Sequence, residues 1–137
     1  MGEVRTTVKL TNAVDLEVAR RGFMPVEDVR SLEADALVDT GAVSLVLPSS
    51  IVERLGLART GKRLVSYADG RQDEIDATGP VGVEILYRPT IAEAIVLGDE
   101  VIIGQIILEQ MDLWVDTRER RLVPNPAHPD QPVIKIK

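Results

Sequence analysis

Carboxylates are the main side chains in this chain that could take part in catalysis. The chain has 137 residues, with 22 Asp and Glu, no Cys and a single His. The lack of Cys excludes cysteine nucleophiles, disulfides and cysteine-ligated zinc. A Ser-His-Asp triad or a histidine metal site would have to use His128. Because His128 lies in the proline-rich stretch PNPAHPDQP, we interpret it as an exposed loop residue.

One carboxylate stands in a motif suited to catalysis, the sequence A-L-V-D-T-G-A at Ala36–Ala42. An ordinary Asp-Thr-Gly turn is the alternative, but an exposed turn would not need apolar residues on both sides. Two carboxylates held close together share a proton, so that one can accept a proton from water while the other donates one. The motif therefore predicts that Asp39 is a catalytic carboxylate. The later Asp116-Thr117-Arg118 is not a second copy, because Arg replaces the Gly.

A second candidate segment surrounds Asp69-Gly70, a dipeptide typical of tight hairpin turns. The flanking residues Lys62–Tyr67 and Arg71–Ile75 are suited to the two strands of a hairpin. Its tip is either a plain turn or a mobile flap that closes over a bound peptide. Tyr67 either lines a cleft or is an ordinary surface residue. The acids of the stretch DGRQDEID lack the ligand spacing of a calcium loop, so a metal site is not predicted.

Short strands must position these residues, because most segments alternate polar and apolar residues or are short and apolar. A first hairpin is predicted from Val4–Leu10 and Ala13–Ala19, with Thr11-Asn12 as its turn. Further strands are predicted at Val29–Val38, Val43–Leu47, Val81–Leu86, Ile91–Leu97, Val101–Ile103, Leu113–Asp116 and Arg121–Val123. The end of the chain, Val133–Lys137, alternates again and is a candidate terminal strand.

Two short helices complete the prediction. In PSSIVERLGL, Ser50 and Glu53 stand in the spacing of a capping box and Gly56 suits the position after the helix. Gln105–Met111 suits the second helix. The fold class is therefore all-β, closed or barrel-like, with an aliphatic core because aromatic residues are only 3% of the chain.

Four marks in order give the chain a resemblance to a known family. They are LVDTGA at Leu37–Ala42, the hairpin tip Ala68-Asp69-Gly70, the apolar-apolar-Gly element at Val101–Gly104 and the helix Gln105–Met111. Together they resemble the retropepsins and their bacterial relatives, the clan AA aspartic proteases. The stretch LWVDTRERRLVPNP is similar to the ending of bacterial members. The resemblance implies a retropepsin-like acid protease barrel over residues 1–123, followed by a proline-rich tail at 124–137.

The resemblance also implies roles for individual residues. With a single Asp-Thr-Gly motif, the chain is expected to form a twofold homodimer in which each subunit contributes Asp39. The Thr40 hydroxyl would bond across the dimer, and Gly41 would let backbone approach the carboxylates. Ile102 and Ile103 would pack under the catalytic loop. The implied substrate-binding residues are Ala42, Tyr67, Ala68, Asp69, Gly70 and Ile103. The substrate would be an extended peptide, cleaved between apolar residues, with no metal or cofactor.

Charge and hydropathy limit the other partners. The net charge of −6 makes nucleic acid a poor partner, and the basic run Arg118–Arg121 is interpreted as a solvated turn. No apolar run is long enough to span a membrane, and the charged N-terminal segment does not resemble a signal peptide. These features and the absence of Cys predict a cytoplasmic location.

The sequence departs from the family pattern at two positions. Many viral members have an Asp and an Arg that pair with each other where this chain has Val43 and Gln105. Because both partners are absent together, no unpaired charge remains. The alternative function is a catalytically silent, dimeric β-barrel module that binds peptides or proteins, since a fold does not fix a function.

Overall fold

The computed structural model describes residues 2–136, which form eleven strands, three α-helices and one short 3₁₀ helix at Val26–Asp28. The α-helices are α1 (Ala13–Arg20), α2 (Ser49–Arg54) and α3 (Gln105–Met111). The strands are β1 (Val4–Asn12), β2 (Ser31–Val38), β3 (Leu45–Leu47), β4 (Arg59–Ser66), β5 (Gln72–Thr78), β6 (Val81–Ile85), β7 (Arg88–Ala92), β8 (Ala94–Val96), β9 (Val101–Ile103), β10 (Leu113–Asp116) and β11 (Arg121–Pro124). The all-β prediction with short helices is therefore confirmed.

Nine strands form one sheet in the order β4-β5-β8-β3-β9-β2-β1-β6-β7, and β10 and β11 pair separately. Strand β2 lies between β1, its antiparallel neighbour, and β9, its parallel neighbour. Parallel pairing requires a long connection, and here the chain between β2 and β9 forms β3 to β8. The end of β2 thereby lies inside the sheet.

The core is aliphatic, as the composition predicts. Its largest fully buried side chains come from β1, β3, β6, β9, α2 and α3. They include Leu10, Leu45, Leu47, Ile85, Ile103 and Ile107. Alternate residues of β6 are buried, which is the pattern of a strand with one face on the core.

The predicted strand Ala13–Ala19 is wrong, because this segment is helix α1. Asn12 is the N-cap residue, and its side-chain oxygen accepts hydrogen bonds from the backbone N–H groups of Val14 and Asp15. Its side-chain amide donates to the carbonyl oxygen of Leu55. Capping of this kind supports a helix of only two turns. The strand β1 consequently pairs with β2 and β6 and forms no hairpin with Ala13–Ala19.

The predicted strand Ile91–Leu97 is also wrong as a single strand. Its first two residues end β7, whereas Ala94–Val96 form β8, which pairs in parallel with β3. The turn before β7 consists of Leu86 and Tyr87, which both have positive φ angles (52° and 65°). Positive φ at both central residues is the requirement of a tight two-residue hairpin turn.

The predicted capping box of the second helical segment does not form. Helix α2 begins at Ser49 with Pro48 at the N-cap position, and no side chain caps it. Gly56 has the positive φ of 61° expected of a residue that follows a helix. Helix α3 begins and ends at the predicted residues. The sequence predicts strands at Val29–Val38 and Val43–Leu47. In the structure each begins two residues later than predicted, at Ser31 and Leu45.

The last residues of the chain are held against the end of α3. Asp112 accepts hydrogen bonds from the Asn125 amide (2.9 Å) and the Val133 backbone N–H (3.1 Å), and it contacts His128 Nδ1 (2.6 Å). The Asn125 hydrogen bond is the main cause of a lowered Asp112 pKa. His128 is half-buried, so its interpretation as an exposed residue is wrong. Residues 133–136 form no strand in the described chain, and Lys137 lies outside the described residues.

Candidate active site

Asp39 lies where the chain leaves the sheet at the end of β2. Its backbone N–H donates to the carbonyl oxygen of Ile103 at 3.0 Å, which continues the β2–β9 pairing by one step. Ile103 is fully buried and pairs with Val38 on one side and Leu45 on the other. The Asp39 side chain is exposed. A rigid sheet position therefore carries a carboxylate that solvent or a ligand can reach.

A tight turn fixes one oxygen of the Asp39 carboxylate. The backbone N–H of Gly41 donates to Asp39 Oδ1 at 2.9 Å, and the N–H of Ala42 donates to the Asp39 carbonyl oxygen at 3.0 Å. A Cβ atom at residue 41 would lie 3.1 Å from Oδ1, which is closer than an ordinary contact. The other oxygen, Oδ2, makes no hydrogen bond with residues 2–136 and is the one left for chemistry.

The start of α3 holds the rest of the loop. The backbone N–H groups of Gln105 and Ile106 donate to the carbonyl oxygens of Ala42 (2.8 Å) and Val43 (3.1 Å). Gly104 lets the two segments approach, because a Cβ atom there would lie 2.4 Å from the Ser44 carbonyl oxygen. The loop is thus attached through backbone groups to β9 and α3.

The structure corrects one predicted substrate-binding residue. Ile103 has no exposed surface, so its side chain packs beneath the loop, out of reach of a bound peptide. Ala42 is half-buried beside Asp39, and Thr40 is exposed, with no hydrogen bond from its hydroxyl among residues 2–136. Asp39, Thr40, Gly41 and Ala42 are therefore brought together as one exposed loop.

A cavity of about 340 Å³ lies beside Asp39. Two separate parts of the chain complete its walls, namely the first residues before β1 and the turn between β10 and β11. The lining residues are Gly2, Glu3, Val4, Val38, Asp39, Thr40, Val115, Thr117 and Arg120. Arg120 lies in an exposed turn, as predicted for Arg118–Arg121, and it also lines this cavity. Sequence reasoning missed Glu3 and Arg120 because no local pattern indicates that their segments meet at Asp39.

The β4–β5 hairpin forms as predicted, with Ala68, Asp69 and Gly70 at its exposed tip. Residues 62–76 pair only within the hairpin, and β5 contacts the next strand through a single pair, Ala77–Ile95. The hairpin therefore projects from the sheet. Its tip and Tyr67 do not line the cavity beside Asp39, so the structure does not bring these predicted residues together with the Asp-Thr-Gly loop.

Two of the four acids of the hairpin, Asp69 and Asp76, are engaged by basic side chains. Asp76 contacts Lys62 (2.7 Å) and Arg59 (2.9 Å), and hydrogen bonds from both lower its pKa. Hydrogen bonds from Arg71 lower the pKa of Asp69. Within residues 2–136, no group of three His, Asp or Glu side chains is arranged to hold a metal ion. The same residues contain no helix with the length and apolarity required to cross a membrane.

Comparisons with known proteins identify a related sequence family and a related fold. Residues 26–121 match the sequence profile of the family described as Aspartyl protease. No curated protein matches significantly. A similar solved structure is the EIAV protease, a viral enzyme complexed with the inhibitor HBY-793. Its TM-score is 0.56 with 21% identity, over 79% of this chain and 86% of that chain. This likeness shows a retropepsin-like fold.

A second solved structure with similarity is the protease of a simian foamy virus (mac). Its TM-score is 0.48 with 13% identity, over 76% of this chain and 90% of that chain.

Proposed function

We infer the function from one premise, which is that the chain belongs to the aspartyl protease family and is an aspartic-type endopeptidase. We propose that it is active as a homodimer, in which Asp39 of each subunit lies at the twofold axis. The observation that carries this proposal is the Asp39 loop itself. It presents an exposed carboxylate with one oxygen fixed by the Gly41 N–H and the other free.

The proposed reaction needs two such carboxylates. At close range both cannot ionise easily, so the pair holds one proton. The ionised member accepts a proton from a water molecule as that water attacks the peptide carbonyl carbon. The protonated member donates its proton to the carbonyl oxygen. The backbone bonds that fix the loop keep the carboxylate oriented during these transfers.

Exposed apolar side chains beside the loop support dimerisation on this face. Val43 is 65% exposed and Ile106 is 45% exposed, and the two residues are joined by a backbone hydrogen bond. They lie on either side of the contact between the Asp39 loop and α3. A twofold axis that brings two Asp39 side chains together would cover this apolar surface. The free Thr40 hydroxyl would then bond to the partner's backbone.

The β4–β5 hairpin is proposed to act as a flap over the substrate. It projects from the sheet, its tip is exposed, and few bonds tie it to the body of the molecule. Tyr67, Ala68, Asp69 and Gly70 would cover a bound extended peptide and exclude water. The peptide would bind as an added strand, with apolar residues at the scissile bond.

The Asp39→Asn substitution tests the proposal. Loss of the shared proton should reduce cleavage of a peptide library by at least about 100-fold, the usual contribution of general acid–base catalysis. The matched control is Asp99→Asn, because Asp99 is another exposed carboxylate but lies in the loop before β9. Circular dichroism and sedimentation should show an unchanged fold and dimer. Cleavage by the Asp39 variant at the wild-type rate would exclude Asp39 as the catalyst.

The alternative function, a silent binding module, predicts a different result. A dimer confirmed by sedimentation would bind peptides but cleave none of them between pH 4 and 7. Binding alone would not require the Asp39 carboxylate.

A further inference from the structure

The two faces of the β4–β5 hairpin differ in burial. Antiparallel pairing places Val65 opposite Asp73, and Arg63 opposite Ile75, so these four side chains share one face. Val65, Ile75 and the adjacent Tyr67 are half-buried, and the same face continues into the buried Ala77. On the other face, Leu64, Ser66, Gln72 and Glu74 are all exposed. Asp73 and Arg63 are themselves exposed, but Arg63 pairs with Glu93, which lies between β7 and β8. The face with Asp73 is therefore the one turned toward the body of the molecule.

The basic side chains of the hairpin are already engaged. Arg71 pairs with Asp69 at 2.8 Å, Arg63 pairs with Glu93 at 3.2 Å, and Arg59 and Lys62 both pair with Asp76. Asp73 has no cationic partner within 4.0 Å among residues 2–136. The inward face of the hairpin thus carries one carboxylate whose charge the described chain does not neutralise.

Tyr67 is the side chain that contacts this carboxylate. Its hydroxyl donates to Asp73 Oδ2 at 3.3 Å. The Arg71 guanidinium lies over the Tyr67 ring, 4.9 Å from the ring centre, at a distance typical of a cation–π contact. Arg71 therefore supports the tyrosine ring, and the tyrosine hydroxyl orients the carboxylate.

We propose that Asp73 is a specificity-determining residue that binds a basic side chain of the peptide substrate beneath the flap. The inference rests on the proposed function, because it requires the inward face of the hairpin to lie over a bound peptide. A Lys or Arg side chain would supply the missing positive charge, and its ammonium or guanidinium group would donate hydrogen bonds to the carboxylate. Apolar residues would still flank the scissile bond.

Charge complementarity of this kind gives a modest preference for basic over uncharged side chains in the substrate. An exposed ion pair contributes little in water, so we expect roughly a 1.5- to 5-fold preference for Lys over an uncharged residue of similar length. Closure of the flap removes water from the pair and would strengthen the preference. The preference should also weaken as salt concentration rises, because the charges are screened.

Paired peptides that differ only by Lys or norleucine at one position test the proposal. For each position on either side of the scissile bond, the ratio of kcat/KM for the Lys peptide to that for the norleucine peptide is measured. We expect one position at which the wild-type ratio exceeds unity and Asp73→Asn lowers it about 1.5- to 5-fold. Tyr67→Phe, which removes only the hydroxyl that orients Asp73, should lower the same ratio by a smaller factor.

The matched control is Glu74→Gln, which removes the same charge from the outward face of the same strand. A fall in the ratio for Asp73→Asn without a fall for Glu74→Gln supports the proposal. An unchanged ratio in Asp73→Asn overturns it, as does an equal fall in both variants, which would indicate a general effect of net charge. Absence of any cleavage by the wild-type enzyme would instead overturn the proposed function, and this inference with it.

Discussion

At the scale of single residues, backbone groups rather than side chains hold the Asp39 loop. The Gly41 N–H fixes Oδ1 of Asp39, and backbone N–H groups of α3 hold the carbonyl oxygens of Ala42 and Val43. This arrangement leaves Oδ2 of Asp39 without a hydrogen bond among residues 2–136, while backbone bonds hold its main chain in place. It also makes the site sensitive to any side chain that separates the loop from α3.

Gly104→Ala tests this sensitivity. A methyl group there would lie 2.4 Å from the Ser44 carbonyl oxygen and 2.7 Å from the Ala42 carbonyl oxygen, so backbone must move. Overpacking of this kind typically costs about 1–3 kcal/mol, and we expect urea unfolding to show a loss of that size. Displacement of Asp39 should reduce kcat by about 100-fold, because misplacement by about 1 Å has that effect.

The control for this substitution is Gly79→Ala, in which the added methyl group would meet only Thr60 Cγ2 at 3.8 Å, an ordinary contact. Its kcat should remain within about twofold of wild type, since surrounding atoms need not move. Wild-type stability and activity in Gly104→Ala would show that the loop does not depend on close approach to α3.

Sequence predicted the centre of the site but not its surroundings. Asp39, Gly41 and Gly104 belong to short motifs whose spacing is visible along the chain, so their proximity was expected. Arg120 and Glu3 lie far from Asp39 in sequence and line the cavity beside it. Nothing in their local patterns marks them, because their position depends on how β11 packs against β1.

At the scale of elements, helix α1 shows why a short segment can be misread. In AVDLEVA, apolar residues alternate as in a strand, yet the segment also has the features of a helix. Asn12 stands at the N-cap, Asp15 lies in the first turn and Arg20 in the last. These residues at the two ends of the segment are the features of the sequence that indicate a helix. Tertiary contacts, including the bond from Asn12 to Leu55, then stabilise it.

An ion pair between the buried Asp15 and the exposed Arg30 joins α1 to the segment before β2. Asp15, whose side chain is only 6% exposed, accepts hydrogen bonds from the Arg30 guanidinium at 2.8 and 3.0 Å and from the Arg30 backbone N–H at 3.1 Å. These bonds lower the pKa of Asp15 below its ordinary value of 3.8. Sequence could not predict this pair, since the residues are fifteen positions apart and belong to different elements.

The lowered pKa predicts the pH dependence of stability. An ionised Asp15 stabilises the folded state above the unfolded-state value near 3.8, and this contribution is lost as pH falls through the lower folded-state value. Asp15→Asn should therefore lower the free energy of unfolding at pH 7, and the deficit should shrink below about pH 4. Urea unfolding at pH 2–7 measures the difference.

The comparison with Asp99→Asn isolates the ion pair, because Asp99 is exposed and makes no salt bridge among residues 2–136. The free energy of unfolding of Asp99→Asn should stay close to the wild-type value across the pH range. A deficit for Asp15→Asn that remained constant down to pH 2 would show that packing, rather than the charge of Asp15, makes the contribution.

At the scale of the whole molecule, exposed apolar side chains distinguish two surfaces. Val43 and Ile106 flank the Asp39 loop, whereas Ile91, which is 58% exposed, lies on β7 at the far edge of the sheet. Only the first surface adjoins Asp39, the carboxylate that the proposed dimer would bring to its symmetry mate. Each subunit of the proposed dimer would carry a net charge of −6, so apolar contact would have to overcome mutual repulsion. Higher ionic strength should favour the dimer.

Ile106→Lys tests the assignment of this surface. Association of two variant subunits would bury two ammonium groups, one from each subunit. It would also lose the apolar contacts of the two isoleucines. The dimer dissociation constant should rise by about tenfold or more, as measured by sedimentation at several concentrations. Specific activity should then fall on dilution at higher protein concentrations than in the wild type, and should recover when the protein is concentrated.

Ile91→Lys is the matched control, because it introduces the same charge at an isoleucine of similar exposure on the other surface. If the surface beside Asp39 forms the interface, this variant keeps the wild-type dissociation constant and the wild-type dilution profile. If Ile106 lines only the peptide cleft, Ile106→Lys raises KM while the dissociation constant stays unchanged. The two readouts therefore separate a side chain that holds the subunits together from one that contacts the substrate, and only the first result agrees with a shared site at the twofold axis.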